Sequence, residues 1–307
     1  MDFLFIAGGL VGLYFGAEWL LGGSVRIAAR LGLPHLIVSL VIVGFGTSMP
    51  ELLVSLRAAF AGAPDLALGN VIGSNTANIL LIIGVSAVIF PMRQWDGNVR
   101  HDAIVMVLAA LFVLVAVQFQ HIGRLTGLIM LLLLGAYLFH AYRRGRDAPT
   151  ESDVDIESAG QKMWLSVVMV VAGLAFLFVG AELLIRGATN IARDYGVSEA
   201  VIGLTVVALG TSLPELATAV IAALKRHSDI AIGNVVGSCI FNVLCILGIT
   251  AVIKPIGVAS QFATFDAPVM LAATVAFATL LIFAREIGRK AAYAMLAGYA
   301  VYIALLV

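Results

Sequence analysis

The chain has 307 residues, of which 62% are hydrophobic and 12% charged, with a mean hydropathy of +1.07. No soluble core needs so much apolar residue, so composition places the protein in a lipid bilayer. Its 18 basic residues balance 18 acidic ones, and charge therefore implies no nucleic-acid partner.

A spanning helix takes roughly 20 mostly apolar residues, and such runs fall at 3–25, 36–61, 66–90, 101–119, 123–142, 163–186, 198–224, 229–253, 264–284 and 288–307. The first run is preceded by Asp2, with no basic leader and no small-residue cleavage site, which predicts a retained helix. Five runs lie on either side of the polar stretch 143–162, RRGRDAPTESDVDIESAGQK. The predicted organisation is a five-helix unit over 1–142, a cytoplasmic linker over 143–162 and a second five-helix unit over 163–307. When the loops are assigned to alternate sides, one side collects 13 basic residues, among them Arg26, Arg30, Arg143, Arg144 and Arg146. The other side holds only Arg124, Arg186, Arg193 and Lys254, with Arg57 inside a helix near that end. The richer side is cytoplasmic, which puts both termini outside a plasma (inner) membrane. Five is odd, so the second unit enters the bilayer from the opposite side to the first. The fold class this predicts is an all-α integral membrane protein of ten transmembrane helices in two inverted-topology repeats, an architecture of secondary transporters.

In chain order, Glu18 in the first helix has a counterpart in Glu182 in the sixth. Both stand near a helix end, which reads as anchoring at the interface. Residues 44–84 then recur as 208–248, identical at 19 of 41 positions and offset by 164 residues throughout (211 − 47 = 242 − 78 = 164). What recurs is polar: Gly-Thr-Ser-x-Pro-Glu-Leu, then Asp-x-Ala-x-Gly-Asn-Val-x-Gly-Ser, then Asn. Pro50 and Pro214 have no N–H for the preceding turn, so the second and seventh helices should break there. Thr47 and Glu51 are four apart and share a helix face, as do Thr211 and Glu215. Ser74 with Asn78, and Ser238 with Asn242, repeat the spacing on the next helix of each unit. Asn70 and Asn234 read as interhelical hydrogen-bonding residues, and Gly69, Gly73, Gly233 and Gly237 as close-approach positions. Cys239 and Cys245 read as small buried hydrophobes. Asp266 reads as a helix cap or interfacial residue, and the fourth, fifth, ninth and tenth helices show no repeated signature.

Carboxylates inside a bilayer are costly unless they meet cations, protons or each other. An inverted repeat brings the second, third, seventh and eighth helices together at mid-membrane. Glu51 would then face Glu215, with Thr47, Thr211, Ser74, Ser238, Asn78 and Asn242 around them. Such a site offers oxygen alone, which suits calcium, sodium or magnesium and not zinc or copper. A cation transporter follows. A channel built on the same oxygens is the alternative of another class; a nucleophile–base pair or HExxH, which an intramembrane enzyme would need, is not in the sequence.

The two copies, GTSMPEL and GTSLPEL above all, resemble the alpha repeats of the sodium/calcium exchanger family within the cation/calcium antiporter superfamily, specifically its prokaryotic ten-helix members. The resemblance spans nearly the whole chain. It implies sodium/calcium antiport without a cofactor, calcium and sodium as the transported ions, the bilayer as surroundings and a monomer as the working state. It implies calcium held by Glu51, Glu215, Thr47 and Thr211. Sodium sites would add Ser48, Ser212, Ser74, Ser238 and the backbone carbonyls of Gly44 and Ala208, and Asn78 would line the centre. At Asn242 the chain departs from the family pattern, where several exchangers carry Asp. Potassium-dependent exchange is one alternative. Proton-coupled calcium exchange is another, although members of that group usually carry a Gly-Asn-x-x-Glu type motif.

Overall fold

The computed structural model describes residues 1–31, 39–93, 98–147, 163–196, 208–284 and 286–306. The chain is helical almost throughout. The helices are α1 (Asp2–Leu31), α2 (Met49–Phe60), α3 (Pro64–Ile89), α4 (Asn98–Gln118), α5 (Arg124–Asp147), α6 (Met163–Asp194), α7 (Leu213–Leu224), α8 (Ser228–Ile253), α9 (Phe262–Phe283) and α10 (Arg289–Leu306). A π-turn, Ser39–Gly44, and a single α-turn, Phe45–Thr47, precede α2, and the turn Ala208–Gly210 precedes α7. Among the described residues, seven helices are long and apolar enough to cross a bilayer: α1, α3, α4, α5, α6, α8 and α9. Helices α2 and α7 are shortened by breaks at Ser48 and Ser212, and α10 opens on the charged pair Arg289-Lys290.

Helices α2 and α7 are only the later parts of the predicted runs 36–61 and 198–224, of which 36–38 and 198–207 lie outside the described residues; the other helices follow the predicted runs to within a few residues except in three places. Helices α1 and α6 extend to 30 and 32 residues, about 45 Å at ~1.5 Å per residue. The predicted runs stopped where Arg26, Arg30, Arg186 and Arg193 begin to interrupt the apolar sequence, yet basic residues are favourable at a helix C-terminus. Helix α5 continues through Asp147, so the first residues of the expected linker are helical, while 148–162 lie outside the described residues.

Helices α1 and α6 run antiparallel along a glycine seam. Gly9, Gly16 and Gly23 recur every seven residues on α1, as do Gly173, Gly180 and Gly187 on α6, a spacing that keeps one stripe facing a crossing partner. A Cβ on Gly16 would lie 2.7 Å from Leu177 N and one on Gly173 2.5 Å from Leu20 N. Gly9 likewise meets Gly180, and Gly187 meets Asp2. The contact is reciprocal, because Gly9 and Gly173, like Gly16 and Gly180, are 164 residues apart.

Two short strand pairs join the halves. Strand β1 (Met92–Arg93) pairs antiparallel with β4 (Glu286–Ile287), and β2 (His121–Ile122) with β3 (Ile256–Gly257). Each pair takes one strand from either side of residue 163. Large apolar side chains on α1, α4, α5 and α6, such as Phe3, Leu108, Leu132 and Val171, are exposed, as a lipid-facing rim requires. The buried core centres on α3 and α8.

Three sequence expectations need correction. Asp266 makes no capping hydrogen bond in α9: it is buried and accepts a hydrogen bond from the Tyr302 hydroxyl at 3.2 Å. The outer helices do carry a repeated signature, since Asp102, 164 residues earlier, is also buried and pairs with Arg144 at 2.8 Å. The shared motif is Asp-Ala-x-Val-Met, at 102–106 and again at 266–270, in which only the aspartate is polar. Gly73 is not a close-approach position; a Cβ there would meet nothing within 4 Å among the described residues. Cys239 and Cys245 are buried, unpaired thiols, as expected.

Candidate cation site

Both proline-linked breaks are present. Ser48 takes φ −82° and ψ 6°, and α2 restarts at Met49 with Pro50 in its first turn, where a missing N–H costs nothing. Ser212, at φ −87° and ψ 5°, and Pro214 repeat the arrangement ahead of α7. Each break places a new helix N-terminus beside the glutamate that follows, so the first-turn amides of α2 and α7 favour negative charge at Glu51 and Glu215.

Glu51 and Glu215 are both fully buried, at 0% exposure. Each carboxylate is held from the other half of the chain. The hydroxyl of Ser48 donates to Glu215 Oε1 at 3.0 Å, and that of Ser212 donates to Glu51 Oε1 at 3.4 Å. The hydroxyl of Thr211 reaches Glu51 as that of Thr47 reaches Glu215. The second oxygen of each carboxylate, Oε2, is buried and accepts no hydrogen bond among the described residues. No basic side chain enters these bonds, so what offsets the two charges is hydroxyls and helix ends.

The backbone at Gly44 joins this network. Its carbonyl accepts from the Ser238 hydroxyl at 3.2 Å and from Thr47 Oγ1 at 3.3 Å. A Cβ on Gly44 would lie 3.1 Å from Ser238 N and 3.2 Å from the Gly237 carbonyl carbon; the absent side chain is what lets α8 come so close. Ala208, the counterpart of Gly44, opens the turn ahead of α7, and its side chain lies outside the described residues.

Helices α3 and α8 complete the surroundings. Ser74, Asn78, Ser238 and Asn242 are all buried. Each helix loosens into a π-turn starting at its asparagine, Asn78–Ile82 in α3 and Asn242–Leu247 in α8, a distortion common at functional positions. Among the described residues, the Oδ1 of Asn242 is buried without a hydrogen-bond partner, and the buried amide of Asn78 reaches only the weakly bonding sulfur of Cys239. Ser74 is buried one turn before Asn78 but enters none of these bonds.

Asn70 and Asn234 hold the helix pairs together, as read from the sequence. Asn70 Nδ2 donates to the Glu51 carbonyl at 3.0 Å and to Ser55 Oγ at 2.9 Å; Asn234 Nδ2 donates to Thr218 Oγ1 at 2.8 Å and to the Glu215 carbonyl at 3.4 Å. Sequence reasoning missed Ser55 and Thr218 because they are not 164 apart, so the two halves build the same clamp from different positions. It also missed Asn75, whose counterpart is Cys239.

The fold and site together define a polytopic membrane transport protein with a buried oxygen-lined centre. The sequence model of the family described as Sodium/calcium exchanger protein matches residues 1–143 and 165–307. Inner membrane protein YrbG of Escherichia coli K12 is 32% identical over 312 residues, covering 97% of this chain and 94% of that protein. Sodium/calcium exchanger MaX1 of Methanosarcina acetivorans is 28% identical over 348 residues, covering 100% and 98%. Among solved structures, the sodium-calcium exchanger NCX_Mj soaked with Na⁺ and Sr²⁺ matches with a TM-score of 0.86 and 31% identity, over 99% of this chain and 97% of that one. The chain belongs to the sodium/calcium exchanger family, and cation/calcium antiport is the activity this membership supports.

Proposed function

We propose that this protein is an electrogenic secondary antiporter that exchanges sodium for calcium across the inner membrane by alternating access. The observation that carries the reading is the pair Glu51 and Glu215, fully buried, cross-held by Ser48 and Ser212, each with one oxygen that the protein does not satisfy. Buried carboxylates of this kind call for a cation, and the hydroxyl, amide and carbonyl oxygens around them suit hard ions. The ligands are Glu51, Glu215, Thr47 and Thr211 for calcium, with Ser48, Ser212, Ser74, Ser238 and the carbonyls of Gly44 and Ala208 added for sodium, and Asn78 and Asn242 at the centre. Two carboxylates balance one Ca²⁺, whereas the family's three Na⁺ would leave one positive charge, so each cycle would move net charge.

The arrangement in the membrane is ten crossing helices in two inverted units, 1–142 and 163–307, tied by a cytoplasmic linker over 143–162, with both termini outside. The antiparallel contact of α1 with its counterpart α6, the reciprocal serine–glutamate bonds and the distribution of basic residues support it.

The test is calcium-45 uptake into proteoliposomes loaded with sodium, repeated with potassium or a pH gradient in its place, together with currents on a solid-supported membrane. Sodium-driven, charge-moving uptake without potassium is the expected result. Uptake driven by the pH gradient alone, an absolute potassium requirement or electroneutral exchange would overturn the corresponding part of the proposal.

A further inference from the structure

Asn75, on α3, is 3% exposed and lies at the position equivalent to Cys239 in the second half. Both ends of its amide are engaged. Its Nδ2 donates to the backbone carbonyl of Cys239 at 3.1 Å, and its Oδ1 accepts from Asn242 Nδ2 at 3.0 Å. A backbone carbonyl can only accept, so the nitrogen of Asn75 must face it, and the oxygen of Asn75 is thereby turned toward Asn242. That oxygen in turn requires a donor, so Asn242 presents its nitrogen to Asn75 and its oxygen the other way. The outward-turned atom, Asn242 Oδ1, is the one that is buried and unmatched within the protein. One main-chain group that cannot rotate therefore sets the polarity of both amides.

Asn78 has no such orientation. The group in the equivalent place is the thiol of Cys239, a weak donor and a weak acceptor; Asn78 reaches that sulfur and no stronger partner among the described residues. The two central asparagines are alike in sequence and unlike in constraint.

We infer that Asn75 is a positioning residue that fixes Asn242 Oδ1 as an oxygen ligand for the transported cation, while Asn78, steadied only by the Cys239 thiol, is held less firmly. This deepens the antiport reading above and rests on it for the identity of the ion. Without Asn75, Asn242 can rotate its NH₂ toward the cation, and a preorganised oxygen is lost.

The experiment measures calcium binding to the purified protein by equilibrium retention of calcium-45, beside sodium-driven uptake in proteoliposomes, for Asn75→Ala, Asn242→Ala and the double variant. Each single change is expected to weaken calcium binding about tenfold and to raise KM with kcat within about twofold. The double variant should be no worse than Asn242→Ala alone, because Asn75 acts through Asn242. Additive losses, or normal affinity in Asn75→Ala, would overturn the inference, as a purely structural bridge between α3 and α8 would give losses independent of residue 242. Should Asn75→Ala not fold, Asn75→Ser in the same cycle decides. Cys239→Asn should supply the missing orientation to Asn78 and tighten calcium binding several-fold; unchanged affinity there would overturn the contrast between the two asparagines. Calcium binding with the expected coupling but no sodium-driven uptake would sink the antiport reading alone; uptake without the coupling would sink this inference alone; and no calcium binding by the unaltered protein would overturn both.

Discussion

Helices α1 and α6 differ from α3 and α8 in what they bury. Within the most apolar window of each helix, 83% of α8 but only 28% of α6 is buried, and the buried polar atoms gather on α3, α8 and the starts of α2 and α7. The α1–α6 contact is mainly a seam of glycines and apolar side chains, with Asn190 donating to Asp2 Oδ1 at 2.7 Å near one end and Arg26 to Met169 Sδ at 3.1 Å near the other. It reaches the rest of the protein through apolar contacts, such as Leu174 against Gly46 and Ile185 against Gly210, and through the ion pair of Glu18 with Lys225. A directional hydrogen bond holds one geometry, whereas an apolar face can slide past another with little change in energy. On the proposed antiport, the difference would give ion binding to the four central helices and motion to the α1–α6 pair.

The comparison breaks most directly at the carboxylates. Glu51→Gln and Glu215→Gln should each lower calcium uptake by about 100-fold or more, since each removes half the charge opposing Ca²⁺ in a desolvated site. Size-exclusion profiles should remain those of folded protein. Normal uptake by either variant in vesicles would mean that the paired carboxylates are not the site.

If α1 moves against the centre, tying it down must stop transport. Glu18→Cys combined with Lys225→Cys, bridged by a bifunctional methanethiosulfonate, should block exchange until a reductant is added. Full exchange by the bridged protein, with bridging shown by mass, would refute a mobile α1.

The seam itself should be intolerant of bulk. Gly173→Val puts side-chain carbon where Leu20 N would stand 2.5 Å away, and thermal unfolding in detergent should fall by about 5 °C or more. Gly135→Ala, where a Cβ meets nothing within 4 Å, should leave the midpoint unchanged. Equal midpoints for the two would remove the steric argument for the seam.

The smallest effect is expected at the ion pair. Glu18 and Lys225 are both partly exposed, and such pairs contribute little. Lys225→Gln should change the exchange rate by less than about threefold, read from initial calcium-45 uptake. The counterpart Glu182 pairs instead with Arg186 on its own helix at 2.6 Å.

Much of this was legible from residues. Apolar runs located the helices because a bilayer imposes length directly, and Pro50 and Pro214 located the breaks because a missing N–H has one local consequence. Glu51 and Glu215 stood out because a carboxylate in apolar sequence must be compensated. Partners were not legible: nothing in the sequence says that Ser48 reaches Glu215 and not Glu51, a fact of packing between halves. The glycine seam carries a signal in its seven-residue spacing, but one without polar residues to set it apart from the other glycines of apolar helices. Asn75 carried a misleading one, since comparison of the two copies discards positions where they differ.

The strand pairs at Met92–Ile287 and Ile122–Ile256 bear on how the protein is made. The loop that follows α4 has no strand partner until the ribosome has passed residue 257, and the loop that follows α3 has none until it has passed residue 287, because those partners belong to the later half. The early half can thread into the bilayer but cannot close its own margins, so the two clasps fasten late and in turn, and a chain interrupted before Ile256 would leave both ends of the first half's rim unpaired.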